Sequence, residues 1–271
     1  MRSFNYKARA FSKVNLSYLS YCSNLAYESK ADISEPLALL GFDLSRDNFF
    51  FADSETDTQA FVVGDKHKII VSFRGTEGKL SDWVTDIKVF KETWTNENPL
   101  GDVHNGFYGA LNSIWNAVLE EIHTLRTNKQ TIWVTGHSLG GALATLAAAT
   151  FELQQPRVGI NGVYTFGQPR IANHEFSRNY NGILKSRTFR CVNNNDVVTR
   201  VPPQIFGYSH VGKLMYFDTD GAIHSDGKLS WWARFWDRLE GRYDDVFNLT
   251  PDGVGDHSMD QYQELSERNS K

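Results

Sequence analysis

Gly136-His137-Ser138-Leu139-Gly140 sets one serine midway between two glycines. This G-x-S-x-G spacing is that of a nucleophile elbow, a sharp strand-to-helix turn that lifts a hydroxyl clear of a sheet. Glycines suit the turn because, lacking Cβ atoms, they let strand and helix pass close together. The helix start then aims free N–H groups at the space beside the serine. The pentapeptide alone has low specificity. Its flanks add what an elbow requires: TIWVT before it is apolar and β-branched, and GALATLAAATF after it is a strong helix former.

A serine hydroxyl is a poor nucleophile unless an imidazole takes its proton and a carboxylate orients that imidazole. On a sheet of this kind the partners follow the serine in the order acid, then histidine. Asp196 follows RTFRCV and Asn193-Asn194-Asn195, and so stands at the C-terminal end of an apolar strand. Asp218, Asp220 and Asp226 sit instead in a polar, turn-rich stretch. Four histidines follow Ser138. His174 precedes the acid and lies in a polar helix, where it reads as a surface residue. His257, in the glycine-rich PDGVGDHSMDQY ahead of a terminal helix, is the preferred base by spacing, with His210 and His224 left open as alternatives.

The elements that must position these residues can be read from periodicity. Apolar spacing predicts a helix over 14–29, ending before Pro36, and a long amphipathic helix over 106–127 with Phe107, Leu111, Ile114, Trp115, Val118, Ile122 and Leu125 on its apolar side. FFFAD (49–53), TQAFVVGD (58–65) and HKIIVSFRG (67–75) read as strands close enough to form antiparallel hairpins. From residue 131 onward strand and helix alternate: TIWVTG, a helix over 140–153, GVYTFG, a helix over 173–180, and RTFRCV. That alternation predicts parallel strands joined by helical crossovers, with the hairpins as an antiparallel N-terminal extension: an α/β protein with a mixed, mostly parallel central sheet and helices on both faces. No repeat or linker divides the 271 residues, so one domain spanning 1–271 is expected.

Composition excludes several alternatives. A net charge of -4 and the absence of a long Lys/Arg run argue against a nucleic-acid partner. No apolar run approaches the roughly 18 residues of a transmembrane helix; ALATLAAATF is too short. The basic N-terminal residues lack the continuous apolar stretch of a secretory signal, so the chain is expected to be cytoplasmic or peripheral to a membrane, or to be secreted with its signal removed. Cys22 and Cys191 show no metal-ligand spacing and read as buried free thiols. Asn15 and Asn248 head glycosylation triplets too common to carry weight. FDTDGAIHSDG (217–227) resembles a calcium loop but lacks the closing glutamate, so no metal site is assigned.

Taken together, IIVSFRGT (69–76), SDWVTDI (81–87), VHNGFY (103–108), VTGHSLGGALATL (134–146), TFGQPR (165–170), NNNDVVTRVPP (193–203) and DHSMDQY (256–262) resemble the class 3 lipases, a family of the α/β-hydrolase fold. The resemblance runs from about Tyr18 to Tyr262 and is far more specific than one pentapeptide. It implies Ser138 as nucleophile, Asp196 as orienting acid, His257 as base, and a cofactor-free hydrolysis of lipid esters like that of a triacylglycerol lipase. It further implies Thr76 as an oxyanion residue alongside the Leu139 N–H. His104, in one of these blocks but ahead of the nucleophile in the chain, reads as a structural residue that shapes the floor of the site. A carboxylesterase of the feruloyl type, a phospholipase A1 or galactolipase, and a catalytically silent binding module are the alternatives.

The same resemblance places a lid helix at about 78–91, where Leu80, Trp83, Val84, Ile87 and Phe90 share one face. A movable flap and a fixed surface helix both fit that pattern. LSWWARFWDRLEGR (229–242), with Trp231, Trp232, Phe235, Trp236 and Leu239, suits either a helix packed on the protein or peripheral contact with a lipid–water interface. No cysteine near the C-terminus is available to pair with Cys22, so a disulfide from the N-terminal helix to the tail is not expected.

Overall fold

The computed structural model describes residues 3–42, 44, 49–53, 58–75, 90–94, 100–127, 129–153, 157–225 and 255–271. Its helices are α1 (Lys13–Leu25), α2 (Lys30–Leu39), α3 (Asn105–Leu125), α4 (Leu139–Leu153), α5 (His174–Leu184) and α6 (Met259–Ser270). Its strands are β1 (Phe49–Asp53), β2 (Gln59–Gly64), β3 (Lys68–Phe73), β4 (Lys91–Thr93), β5 (Asp102–His104), β6 (Thr131–His137), β7 (Gly162–Phe166), β8 (Ala172–Asn173), β9 (Thr188–Asn193), β10 (Tyr208–Ser209), β11 (Lys213–Phe217) and β12 (Ile223–Ser225).

Eight strands form the central sheet in the order β1-β2-β3-β6-β7-β9-β11-β12. From β3 through β11 neighbours run parallel. The β1-β2-β3 hairpins and β12 are antiparallel edges. Side chains alternate across the sheet as strand geometry demands. Val62, Ile69, Val71, Phe73, Ile132, Val134 and Val163 face α3 and α4. Phe61, Val63, Ile70, Trp133, Tyr164, Phe166 and Phe189 face the layer made by α1, α2 and α6. With both faces covered, the strands are buried along nearly their whole length and read as apolar runs.

Helix α4 is buried all round from Gly140 to Glu152, so its alanines face α3 as well as the sheet. The one acid in its last turn, Glu152, is fully buried and is held by Arg187, Arg157 and the Ile160 N–H. On the opposite layer α1 packs along α6, and Asn24 Nδ2 donates to Asp260 Oδ1 and Gln263 Oε1 across that contact. Ser12 caps α1 by accepting from the Asn15 N–H, while its own N–H donates to the Tyr164 hydroxyl on β7.

Four departures from the sequence reading have physical causes. The first helix stops at Leu25, and a second one, α2, carries Pro36 inside it; a proline there forfeits one backbone hydrogen bond, and the Leu40 N–H still reaches the Pro36 carbonyl. The helix expected over 173–180 is one residue late at its start and runs on to Leu184, because Asn173 caps it by accepting from the Phe176 N–H. The helix expected over 78–91 does not include its last two positions: Phe90 is not helical, and Lys91 opens β4, where its backbone pairs with His104. Finally, β10, β8, β5 and β4 build a small antiparallel second sheet whose strands are two or three residues long, too short to register as periodicity.

The turn between β6 and α4 is where backbone meets backbone most closely. A Cβ on Gly136 would stand 2.2 Å from the Gly140 carbonyl oxygen, and one on Gly140 would stand 2.2 Å from the Phe73 carbonyl oxygen on β3. Neither neighbour is a side chain that can swing away. Gly140→Ala is therefore expected to cost about 3 kcal/mol, read as a lower urea midpoint with unchanged slope.

Candidate active site

The parallel strands β3, β6, β7 and β9 deliver their C-terminal ends to one edge of the sheet, where sites of open α/β sheets gather. Ser138 follows β6 directly and has φ 56°, a left-handed conformation rare for a residue with a side chain. It is held there from both sides: its N–H donates to the Phe166 carbonyl on β7 (2.9 Å), and its carbonyl accepts from the Gly141 N–H (3.0 Å) and the Ala142 N–H (3.3 Å). Strain of this kind persists only where the surroundings over-determine it. Leu139 opens α4, so its N–H is among those at a helix start that no carbonyl of the same helix accepts.

Asp196 lies in the loop after β9, just past Asn194 with its positive φ of 30°. Its carboxylate is 1% exposed, and protein donors replace water around it. His257 Nδ1 lies 3.0 Å from both oxygens, the Tyr262 hydroxyl donates to Oδ2 at 2.6 Å, and the Val198 N–H donates to Oδ1 at 2.9 Å. Burial, then the Asp196 charge, push the Tyr262 phenol well above its ordinary pKa, so it stays a donor. The same hydroxyl accepts from the Asn193 N–H (2.8 Å), tying α6 to the end of β9.

His257 sits in the turn before α6 and is buried. The preceding residue is clipped to the acid loop, with Asn193 Nδ2 donating to the Asp256 carbonyl (2.9 Å) and the Asn195 N–H donating to Asp256 Oδ2 (3.0 Å). With Nδ1 committed to Asp196, His257 Nε2 is buried without a hydrogen-bond partner among the described residues. It is thus the ring atom left to serve a reacting hydroxyl; such contacts commonly tighten only once substrate is bound. Gly167, at the end of β7 with φ 58°, makes room for this pair: a Cβ there would fall 2.8 Å from both Asp196 Oδ2 and His257 Nδ1.

The other histidines are engaged elsewhere. His210 Nε2 donates to the Thr199 carbonyl (2.8 Å), His224 Nε2 pairs with Asp218 Oδ2 (2.6 Å), and His174 contacts Ser209 at the start of α5. His104 caps α3, its Nδ1 accepting from the Phe107 N–H (3.3 Å). Thr76, the lid positions Leu80, Trp83, Val84 and Ile87, and the 229–242 stretch lie outside the described residues. Phe90 is described and is 67% exposed. Cys22 and Cys191 are both buried and are not joined in a disulfide. Tyr262, Gly167, Asn193 and His137 were not singled out by the sequence reading. Their role is visible only in contacts across many residues, although the Tyr in DHSMDQY stands five residues after the histidine, where a helix start would turn it back toward the acid.

This sheet topology, with its elbow after β6, is the α/β-hydrolase fold. The class 3 lipase family model matches residues 70–206, and the chain belongs to that family. A triacylglycerol lipase of Arabidopsis thaliana is 31% identical over 252 residues, covering 73% of this chain and 48% of the relative. A secreted mono- and diacylglycerol lipase of Fusarium solani is 31% identical over 196 residues, covering 69% and 57%. The chain thus spans about half the length of the curated relatives it matches. Among solved structures, a Rhizomucor miehei lipase in complex with its propeptide superposes with a TM-score of 0.60 at 23% identity, covering 82% of this chain and 76% of that one, a likeness of fold.

Two buried imidazoles govern the acid stability expected of this region. Burial first, then neighbouring charge, hold His137 (beside His257) and His210 (beside Arg190 and Arg170) well below the ordinary imidazole value of about 6.5. As pH falls from 7 to 5 the unfolded chain takes up protons at these positions that the folded chain refuses, so stability falls with pH over that window. The thermal midpoint should drop between pH 7 and pH 5, and His210→Gln should flatten that slope.

Proposed function

We propose that this protein is a serine ester hydrolase that cleaves lipid esters through an acyl-enzyme on Ser138. The observation that carries the reading is the Asp196–His257 pair, with Nδ1 committed to the carboxylate and Nε2 left open at the sheet edge where the strained Ser138 stands. In this reading His257 Nε2 takes the Ser138 proton as Oγ adds to the ester carbonyl, Asp196 stabilises the resulting imidazolium, and the proton passes to the departing alcohol. Water then repeats the sequence on the acyl-enzyme. The Leu139 N–H and Thr76 receive the oxyanion; losing one such donor costs about 2.7 to 4 kcal/mol of barrier. The lipid nature of the ester is supported by the relatives named for acylglycerol hydrolysis.

Contact with a lipid–water interface is part of the proposal. No described helix is long and apolar enough to cross a membrane. Phe90 and Ile205 are 67% and 70% exposed, and their segments are tied together by Lys91 Nζ on the Phe206 carbonyl and by the Tyr208 hydroxyl on the Phe90 carbonyl. Large apolar side chains exposed on joined segments are candidates for such contact.

Ser138→Ala is expected to lower p-nitrophenyl ester hydrolysis by at least about 10⁴-fold without lowering the thermal midpoint; retained turnover would overturn the assignment. With a chain-length series and an emulsified triglyceride, the rate should rise above the solubility limit, whereas preference for short soluble esters would make this an esterase. Phe90→Ser with Ile205→Ser should lower the ratio of emulsion to soluble-ester rate, and an unchanged ratio would remove those residues from the interface.

A further inference from the structure

His137 lies between the nucleophile and the interior, and its ring is committed at both nitrogens. Its Nε2 is 2.7 Å from the His257 carbonyl oxygen, and its Nδ1 is 2.6 Å from the Tyr27 hydroxyl. A carbonyl only accepts, so Nε2 carries the proton. In a neutral imidazole Nδ1 is then bare, and the Tyr27 O–H donates to it. Burial, reinforced by His257 alongside, keeps the ring neutral against the opposing pull of the His257 carbonyl. The donors therefore run one way, from Tyr27 to His137 to the His257 main chain.

Two further observations place this relay at the centre of the site. The His137 and His257 rings lie 4.4 Å apart between centroids, tilted by 34°. The Tyr27 phenol lies over the end of the β3 segment, where a Cβ on Gly75 would come within 2.2 Å of its oxygen and 3.2 Å of Ser138 Cβ. The carbonyl that His137 grips also falls outside the helix ladder. Helix α6 begins its backbone bonding one residue later, with the Tyr262 N–H on the Ser258 carbonyl (3.1 Å).

A ring held only through Nδ1, by two carboxylate oxygens at equal distance, can still pivot about that contact. A second anchor on the residue's own backbone removes that freedom. We infer that His137, oriented by Tyr27, is a positioning residue for His257: it fixes the main chain of the base so that Nε2 faces Ser138. This rests on the catalytic roles proposed above for Ser138 and His257. Neither His137 nor Tyr27 touches substrate in this account, so their effect should appear in kcat and not in KM.

The geometry provides its own pair of probes. A glutamine amide nitrogen reaches about as far from Cβ as Nε2, whereas an asparagine amide reaches only as far as Nδ1. His137→Gln can thus keep the donor to the His257 carbonyl, and His137→Asn can keep only the contact with Tyr27. With a soluble short-chain p-nitrophenyl ester, His137→Asn should lower kcat by ~10–100-fold with KM within about 2-fold, and His137→Gln should restore most of it. Tyr27→Phe should lower kcat by a smaller factor, again at constant KM. Equal kcat in folded Gln and Asn variants, or a loss confined to KM, would overturn the inference. Should His137→Asn fail to fold by circular dichroism, Tyr27→Phe decides: an unchanged kcat overturns the inference and a lower kcat supports it.

Proton NMR of the His257 Nδ1–H···Asp196 resonance reads the same positioning without turnover. The signal should keep its place in the Gln variant and shift or broaden in the Asn variant; indifference to both substitutions counts against the inference. If the wild type itself hydrolyses no ester, the proposed function fails, and the NMR comparison still tests the positioning.

Discussion

The buried Asp196 carboxylate is the contact on which the rest of the site depends. A carboxylate with 1% of its surface exposed has lost its water and must be met by donors on every side. Those donors come from separate parts of the chain: His257 from the turn before α6, Tyr262 from α6, and Val198 from its own loop. Satisfying one carboxylate therefore closes the C-terminal helix onto the end of β9. Removing any donor would leave a buried polar group unmatched and loosen the others, because Tyr262 also accepts from Asn193, which in turn holds Asp256.

A second constraint acts across the sheet at the elbow. Ser138 is held at positive φ by β7 on one side and the first turn of α4 on the other, and Gly136 and Gly140 permit that approach because any side chain would meet backbone. The elbow and the acid loop occupy neighbouring strand ends, with β7 between β6 and β9. Gly167 at the end of β7 lets the Asp196–His257 pair settle into that gap. Strand order, more than any single contact, thus brings residues 138, 196 and 257 to one edge.

Much of this was legible in the sequence where the signal is local. The apolar runs of β3, β6, β7 and β9, the 3.6-residue spacing of α3 and the alanine-rich α4 follow directly from which faces are buried. The proposed acid, Asp196, stands out in the sequence because it directly follows an apolar strand, whereas Asp218 and its neighbours lie among turns. The proposed base, His257, is preferred by spacing; in the structure its Nδ1 pairs with Asp196, while His210 Nε2 goes to the Thr199 carbonyl and His224 Nε2 to Asp218. The small second sheet was not legible, since two- and three-residue strands are held by partners distant in sequence. His137, Tyr27 and Tyr262 were missed for the same reason: their bonds span 66 to 120 residues, and no spacing rule marks them.

The proposed chemistry requires Ser138 to be the nucleophile, and covalent labelling measures that most directly. A p-nitrophenyl alkylphosphonate added in excess should release about one equivalent of p-nitrophenol and leave a single phosphonyl adduct, mapped by mass spectrometry to the peptide carrying Ser138. No adduct on the folded protein, or an adduct on a different residue, would contradict it.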